Sequence, residues 1–204
     1  TGIIINLITP TMMFYNKFLP IITSYVTGSI SITSSTATYN KEADWNKVER
    51  MIDLNKEGIV FKKNPKDQEA SVCAIFYECI GNEKIKGITP LFSGYRNRYD
   101  LHAMVDFGDT QIRSNIEFKS KLSNILKDFE DEQKMFDELN CIVCWNVTDD
   151  DRSNFHDKGV VIDDIRSNES ILSNTQEWVY PNATHILRYA NVNPVYVIDL
   201  EKIL

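Results

Sequence analysis

The chain has little of several things. Only four of its 204 residues are cysteines, Cys73, Cys79, Cys141 and Cys144. That is too few for a disulfide scaffold at this length. No uncharged apolar run approaches the roughly 18 residues that a membrane span requires, so none is expected. Positive charge is also short: 22 Lys+Arg stand against 29 Asp+Glu, a net charge of −7. That excludes a histone-like binder held to nucleic acid by bulk charge. Any polyanion must then be met by a local basic patch, a bound metal or a partner. A P-loop, a GxGxxG leading into a helix and a GxSxG elbow are missing, so neither a nucleotide triphosphatase nor a serine hydrolase is suggested. What remains is a chain that is 43% hydrophobic and 25% charged, enough for one large domain with a core of its own. Its expected location is the cytoplasm.

The first 38 residues read differently from the rest. Gly2 to Tyr25 is apolar and carries only Lys17. It has no basic start, and Pro10 and Pro20 interrupt it, so it fits a signal peptide poorly. Residues 27–38 are rich in Ser and Thr and read either as a polar linker or as a strand alternating Ile with Ser or Thr. A boundary near residue 39 separates an N-terminal segment of unclear role, 1–38, from a domain over 39–204. The chain opens on Thr1 rather than Met, which leaves open that it is part of a longer polypeptide.

Apolar spacing places the elements. Trp45, Val48, Met51 and Ile52 predict a helix over Lys41 to Leu54. Val72, Ile75, Phe76, Cys79 and Ile80 predict a second over 67–80, stopped by Gly81-Asn82. Two strand-like runs follow, 99–107 and 111–119, separated by Gly108-Asp109. Leu122, Ile125, Leu126, Phe129, Phe136 and Leu139 predict a helix over 122–139. Cys141 to Trp145 reads as a strand buried on both faces. Its C-x-x-C lies in strand rather than turn, so both thiols are expected to be buried and free of metal. The acidic run Asp149 to Asp151 is expected to be a solvated turn, and Gly159–Ile162, His185–Tyr189 and Val195–Leu200 are further strands. A strand, helix and strand over 111–147 form a parallel βαβ unit. With the hairpin, this gives an α/β fold, a mixed β-sheet flanked by helices.

The hairpin carries the chemistry. A two-residue loop at Gly108-Asp109 sets Phe107 opposite Thr110 and therefore Asp100 opposite Glu117. Lys119 lies on the same face because strand side chains alternate, with His102 beside it. The other face presents Leu101, Ala103, Val105, Phe107, Ile112, Ile116 and Phe118. Two opposed carboxylates repel unless something sits between them. Mg²⁺ (or Mn²⁺) suits one or two carboxylates with waters and phosphate oxygens. The backbone carbonyl of Phe118 would add a ligand, and Lys119 would stabilise charge developing at a phosphodiester.

Asp100, followed sixteen positions on by Ile116-Glu117-Phe118-Lys119, resembles the PD-(D/E)XK nuclease superfamily. The resemblance covers roughly residues 65–148. It implies a restriction-endonuclease-like αβββαβ core and Mg²⁺-dependent phosphodiester cleavage, most often of DNA. Asp100 and Glu117 would be metal ligands and Lys119 the catalytic lysine. It departs from the pattern in placing Tyr99 where the family name has proline. Many members add an acidic residue from the first helix, for which Glu69 is preferred over Glu78. Gln133 resembles the helical glutamine of RecB-like members, although position 137 is Asp rather than aromatic. A second E-x-K triplet, Glu132-Gln-Lys134, falls inside the helix pattern.

Contacts to nucleic acid are expected from Arg96, Arg98 and Lys121, with Tyr95 and Lys127 nearby. The function expected is a DNA endonuclease, of the kind found in restriction or anti-phage defence, working as a homo-oligomer. The alternative is an inactive nuclease-like module that docks an ATPase or another subunit. Asp100, Glu117 and Lys119 would then be a solvated face, and Arg96 and Arg98 ordinary loop charges.

Overall fold

A computed structural model describes residues 41–94, 97–165 and 179–204. The segment 1–38, the polar stretch 27–38 within it, and Tyr95 and Arg96 lie outside the described residues. The chain divides into two units, Thr1–Glu49 and Arg50–Leu204. In the first, α1 (Lys41–Glu49) is the described element, ending five residues before the spacing suggests. No helix among the described residues is long and apolar enough to cross a membrane.

In the second unit, α2 (Glu69–Gly81) is followed by β1 (Ile88–Ser93), β2 (Leu101–Phe107) and β3 (Thr110–Lys119). Next come α3 (Asn124–Glu130), a 3-10 turn at Phe136–Glu138, β4 (Cys141–Cys144) and α4 (Asp149–His156). The chain closes with β5 (Val160–Asp164), β6 (His185–Tyr189), β7 (Val195–Asp199) and α5 (Leu200–Ile203). The strands form one mixed sheet in the order β1-β2-β3-β4-β7-β6-β5. β4 runs parallel to both β3 and β7, and the remaining pairs are antiparallel. The fold is thus α/β, a mixed sheet flanked by helices, as the spacing predicts.

Two cores sit on the two faces of the sheet. On one, Val72, Ile75, Phe76 and Cys79 of α2 pack on Leu101, Ala103, Val105, Ile116 and Phe118. On the other, Leu122, Ile125 and Phe155 pack on Ile142, Cys144, Leu187 and Val197. Cys141 belongs to the first core and Cys144 to the second, both free and fully buried. Alternation explains this, since residues three apart in a strand face opposite ways. The hairpin face expected to be apolar is buried, apart from Ile112, which is partly buried, and Phe107 near the bend, which is 41% exposed.

Four elements differ from expectation, each for a local reason. β1 escapes the pattern because it is an edge strand in which only Ile88 is buried. Pro90 is tolerated there, beside a bulge. The helix expected over 122–139 stops at Glu130, where Glu132 takes a left-handed φ of 54°. The apolar stripe survives because a turn, not a helix, returns Phe136 onto Phe129, with ring centroids 5.7 Å apart. Asp149 to Asp151 open α4 instead of forming a solvated turn. Thr148 and Asp151 make a reciprocal capping box, and Asp151 is buried, also accepting the Ser123 N–H at 2.8 Å. α1 is short, as noted.

Candidate active site

The hairpin register puts the site together. Phe107 pairs with Thr110 and Leu101 with Ile116, so the ladder stops one residue short of Asp100 and Glu117. Gly108, at φ 58°, makes the bend that fixes this register. Beyond the last pair, the side chain of Asp100 takes over from the backbone: its Oδ2 accepts the Phe118 N–H at 2.9 Å. Glu117 and Lys119 sit at the end of β3, whose four final residues are buried and pair with β4 in the sheet.

Lys119 is the centre of the cluster. Its Nζ lies 2.9 Å from Glu117 Oε1, 3.1 Å from Asp128 Oδ2 and 3.6 Å from Glu69 Oε2. Carboxylates from α2, β3 and α3 therefore meet at one ammonium group. Glu117 is 2% exposed and Lys119 8%. The second oxygen of Glu117 accepts from Lys134 Nζ at 2.8 Å. Lys134 also donates to the Arg98 carbonyl and lies 5.3 Å from the centre of the Tyr99 ring.

Burial and charge compete here. Burial disfavours the Lys119 ammonium, but Glu117, by charge and hydrogen bond, and then Glu69 outweigh it, holding the lysine charged well above its ordinary range. Burial raises the Glu117 carboxyl against the pull of Lys134 and Lys119, with Asp100 adding to the rise. Glu69 is raised for the same leading reason, opposed by Lys119 and helped by Asp100. Glu69, Ala70, Cys73, Ser93, Gly94, Asp100 and Phe118 line a cleft of about 220 Å³. Burial, then Asp100 and Glu69, push the Cys73 thiol up to about 11, so it stays protonated.

The donors fit a hard divalent cation in kind. Asp100 and Glu117 offer carboxylate oxygens and Phe118 a carbonyl, the set Mg²⁺ takes alongside water and phosphate. In charge the site has room for one: four carboxylates, Glu69, Asp100, Glu117 and Asp128, face two ammonium groups, Lys119 and Lys134. Among the described residues, no group of three or more His, Cys, Asp or Glu side chains is arranged to hold an ion by side chains alone.

Of the residues singled out by sequence, Asp100, Glu117, Phe118, Lys119 and Glu69 come together. Glu78 does not: it accepts the N–H groups of Val60 and Phe61, near the other end of α2. Gln133 is exposed, in the turn after α3, where its N–H donates to Asp128 O. His102 bonds Asn115 across the hairpin at 2.9 Å. Arg98 pairs with Glu138 at 3.2 Å and Lys121 with Asp67 at 3.2 Å. Sequence reasoning missed Lys134 and Asp128. The signal for Lys134 was the second E-x-K triplet, which was read as part of a helix; Asp128 gave none. No family model, curated protein or solved structure matches the chain.

Proposed function

We propose that the chain is a metal-dependent nuclease of restriction-endonuclease-like architecture, acting on DNA, as in a restriction or anti-phage system. The order α2, β1, β2, β3, α3, β4 supports the architecture: a helix, an antiparallel three-strand meander, a helix and a fourth strand parallel to the third. One observation carries the function. Lys119 is held among carboxylates of α2, β3 and α3, while Asp100 is fixed to the N–H of Phe118 between Glu117 and Lys119.

In this reading Asp100, Glu117 and the Phe118 carbonyl hold the ion. When bound, Mg²⁺ lowers the pKa of a coordinated water and offsets charge on a phosphoryl oxygen. The residues of the chain do the rest. Lys119, kept charged by its neighbours, stabilises the anionic transition state. Lys134 fixes the orientation of Glu117 from its other oxygen. Glu69, at the cleft wall and half exposed, orients the attacking water.

Nicking of supercoiled plasmid with Mg²⁺ or Mn²⁺ tests this, comparing wild type with Glu117→Gln and Lys119→Ala. Loss of activity in both is expected, and activity that survives both rejects the assignment. A second reading is an inactive module docking another subunit. The saturation of both Glu117 oxygens by lysines favours it, as does the net charge of −7. Absence of metal-dependent nicking together with tight binding to a partner protein would support that reading.

A further inference from the structure

Basic charge is concentrated in one place outside the cleft. Residues 50–66 hold Arg50, Lys56, Lys62, Lys63 and Lys66 against Asp53 and Glu57, in a chain that is acidic overall. This segment is a strap laid beside α2. Its two limbs are joined by Leu54 N–H to Lys62 O at 2.9 Å and Asn64 N–H to Ile52 O at 2.8 Å. Its bend is pinned to the C-terminal end of α2, where Asn82 Nδ2 donates to Gly58 O at 2.7 Å. Glu78 of α2 accepts the N–H groups of Val60 and Phe61, which fixes this limb of the strap to the helix. Val60 is 76% exposed and Phe61 is also exposed. The strap then returns through Lys66 and Asp67 to Gln68, the N-cap of α2, next to Glu69 in the cleft.

We infer that this strap, with Lys84 beside it, binds the phosphate backbone of a nucleic acid and leads it to the cleft. The inference rests on the nuclease reading for the identity of the polyanion. Among the described residues Lys56, Lys62, Lys66 and Lys84 form no ion pair, while Lys63 is neutralised by Asp53 at 2.7 Å and Lys86 by Glu83 at 3.6 Å. Lys84 meets the bend: its Cε lies 3.4 Å from where a Cβ on Gly58 would stand. Four uncommitted ammonium groups, spread along the strap and at its bend together with exposed Val60 and Phe61, match a backbone-tracking surface with an apolar contact for bases. The hydrogen bonds that pin the strap mean little ordering is needed on binding. Glu78 to Glu69 is nine residues of helix, a rise of about 14 Å, so the patch and the cleft are within reach of one short oligonucleotide. Lys121, salt-bridged to Asp67, marks the junction between the two.

The test is fluorescence anisotropy with labelled duplex and single-stranded oligonucleotides in EDTA, titrated with salt. Wild type is compared with Lys62→Glu/Lys66→Glu and with Lys158→Glu as a reversal elsewhere, all checked for equal melting temperature. The double variant is expected to bind about tenfold or more weakly, with the slope of log K against log salt reduced by about two. Lys158→Glu is expected to bind like wild type. Unchanged affinity and slope in the double variant overturns the inference. So does absence of oligonucleotide binding by wild type, or a preference for phosphatidylserine vesicles. Plasmid nicking by the same proteins separates the two claims. Nicking with a KM indifferent to the strap removes the strap and keeps the nuclease. Strap-dependent binding without nicking removes the nuclease and keeps the strap.

Discussion

The two carboxylate oxygens of Glu117 are held by two different lysines, Oε1 by Lys119 at 2.9 Å and Oε2 by Lys134 at 2.8 Å. The carboxylate is almost fully buried, so its charge depends on both lysines. Removing the acid strands the part-buried ammonium of Lys134 and leaves Lys119 with Asp128 and Glu69 alone. Glu117→Ala is expected to lower stability by about 3 kcal/mol or more. Glu117→Gln, which keeps one acceptor and the shape, is expected to cost less. Urea denaturation of the two variants checks the order, and equal values would mean that the remaining partners hold both lysines without Glu117.

Asp100 has a structural task that asparagine can share and alanine cannot. Asp100→Asn retains an oxygen for the Phe118 N–H, whereas Asp100→Ala leaves that group unpaired at a cost of about 1–2 kcal/mol. In the nuclease reading both variants lose nicking by about a hundredfold or more, because both lose the charge. A stability difference with equal loss of activity is the expected pattern, measured by thermal melts and plasmid nicking side by side.

Asp151 ties two helices together. One oxygen accepts the Ser123 N–H at 2.8 Å just before α3, and the other accepts the Thr148 N–H at 2.9 Å and hydroxyl at 2.7 Å at the start of α4. Asp151→Ala is expected to cost about 2–4 kcal/mol, the loss of a cap plus a second buried donor left unpaired. A melting temperature within a degree of wild type would show that water replaces the carboxylate.

His185 makes the fold sensitive to acid. Its ring is fully buried, accepts at Nε2 from Lys202 at 2.9 Å and donates from Nδ1 to Thr184 Oγ1 at 2.9 Å. The Thr184 hydroxyl in turn donates to Val197 O. Burial, then Lys202, lowers the ring to about 4, against the opposing pull of Asp164. The unfolded chain takes up this proton near pH 6.5 and the folded chain only near pH 4, so stability falls as pH drops across that window. The loss is at most about 3 kcal/mol. Denaturation at pH 7, 5.5 and 4 measures it, and His185→Gln is expected to flatten the slope.

Alternation along two strands was enough to read the hairpin register, and with it the meeting of Asp100, Glu117 and Lys119, because a period of two allows a single answer once one face must be buried. The strand at Cys141 was legible as a short continuous apolar run, buried on both faces. β1 was not, since an edge strand buries too little to show a period. Nor was the true end of α3, where a left-handed Glu132 redirects a stripe that still packs.

Local pattern alone therefore determined the hairpin, its two faces and the three residues at its end. The tertiary structure decided what surrounds them. Asp128 reaches Lys119 from α3, Lys134 reaches Glu117 because the chain turns after α3, and the strap of lysines borders α2 because Glu78 and Asn82 hold it there. Such neighbours come from contacts between segments distant in sequence, formed by side chains that carry no periodic signal.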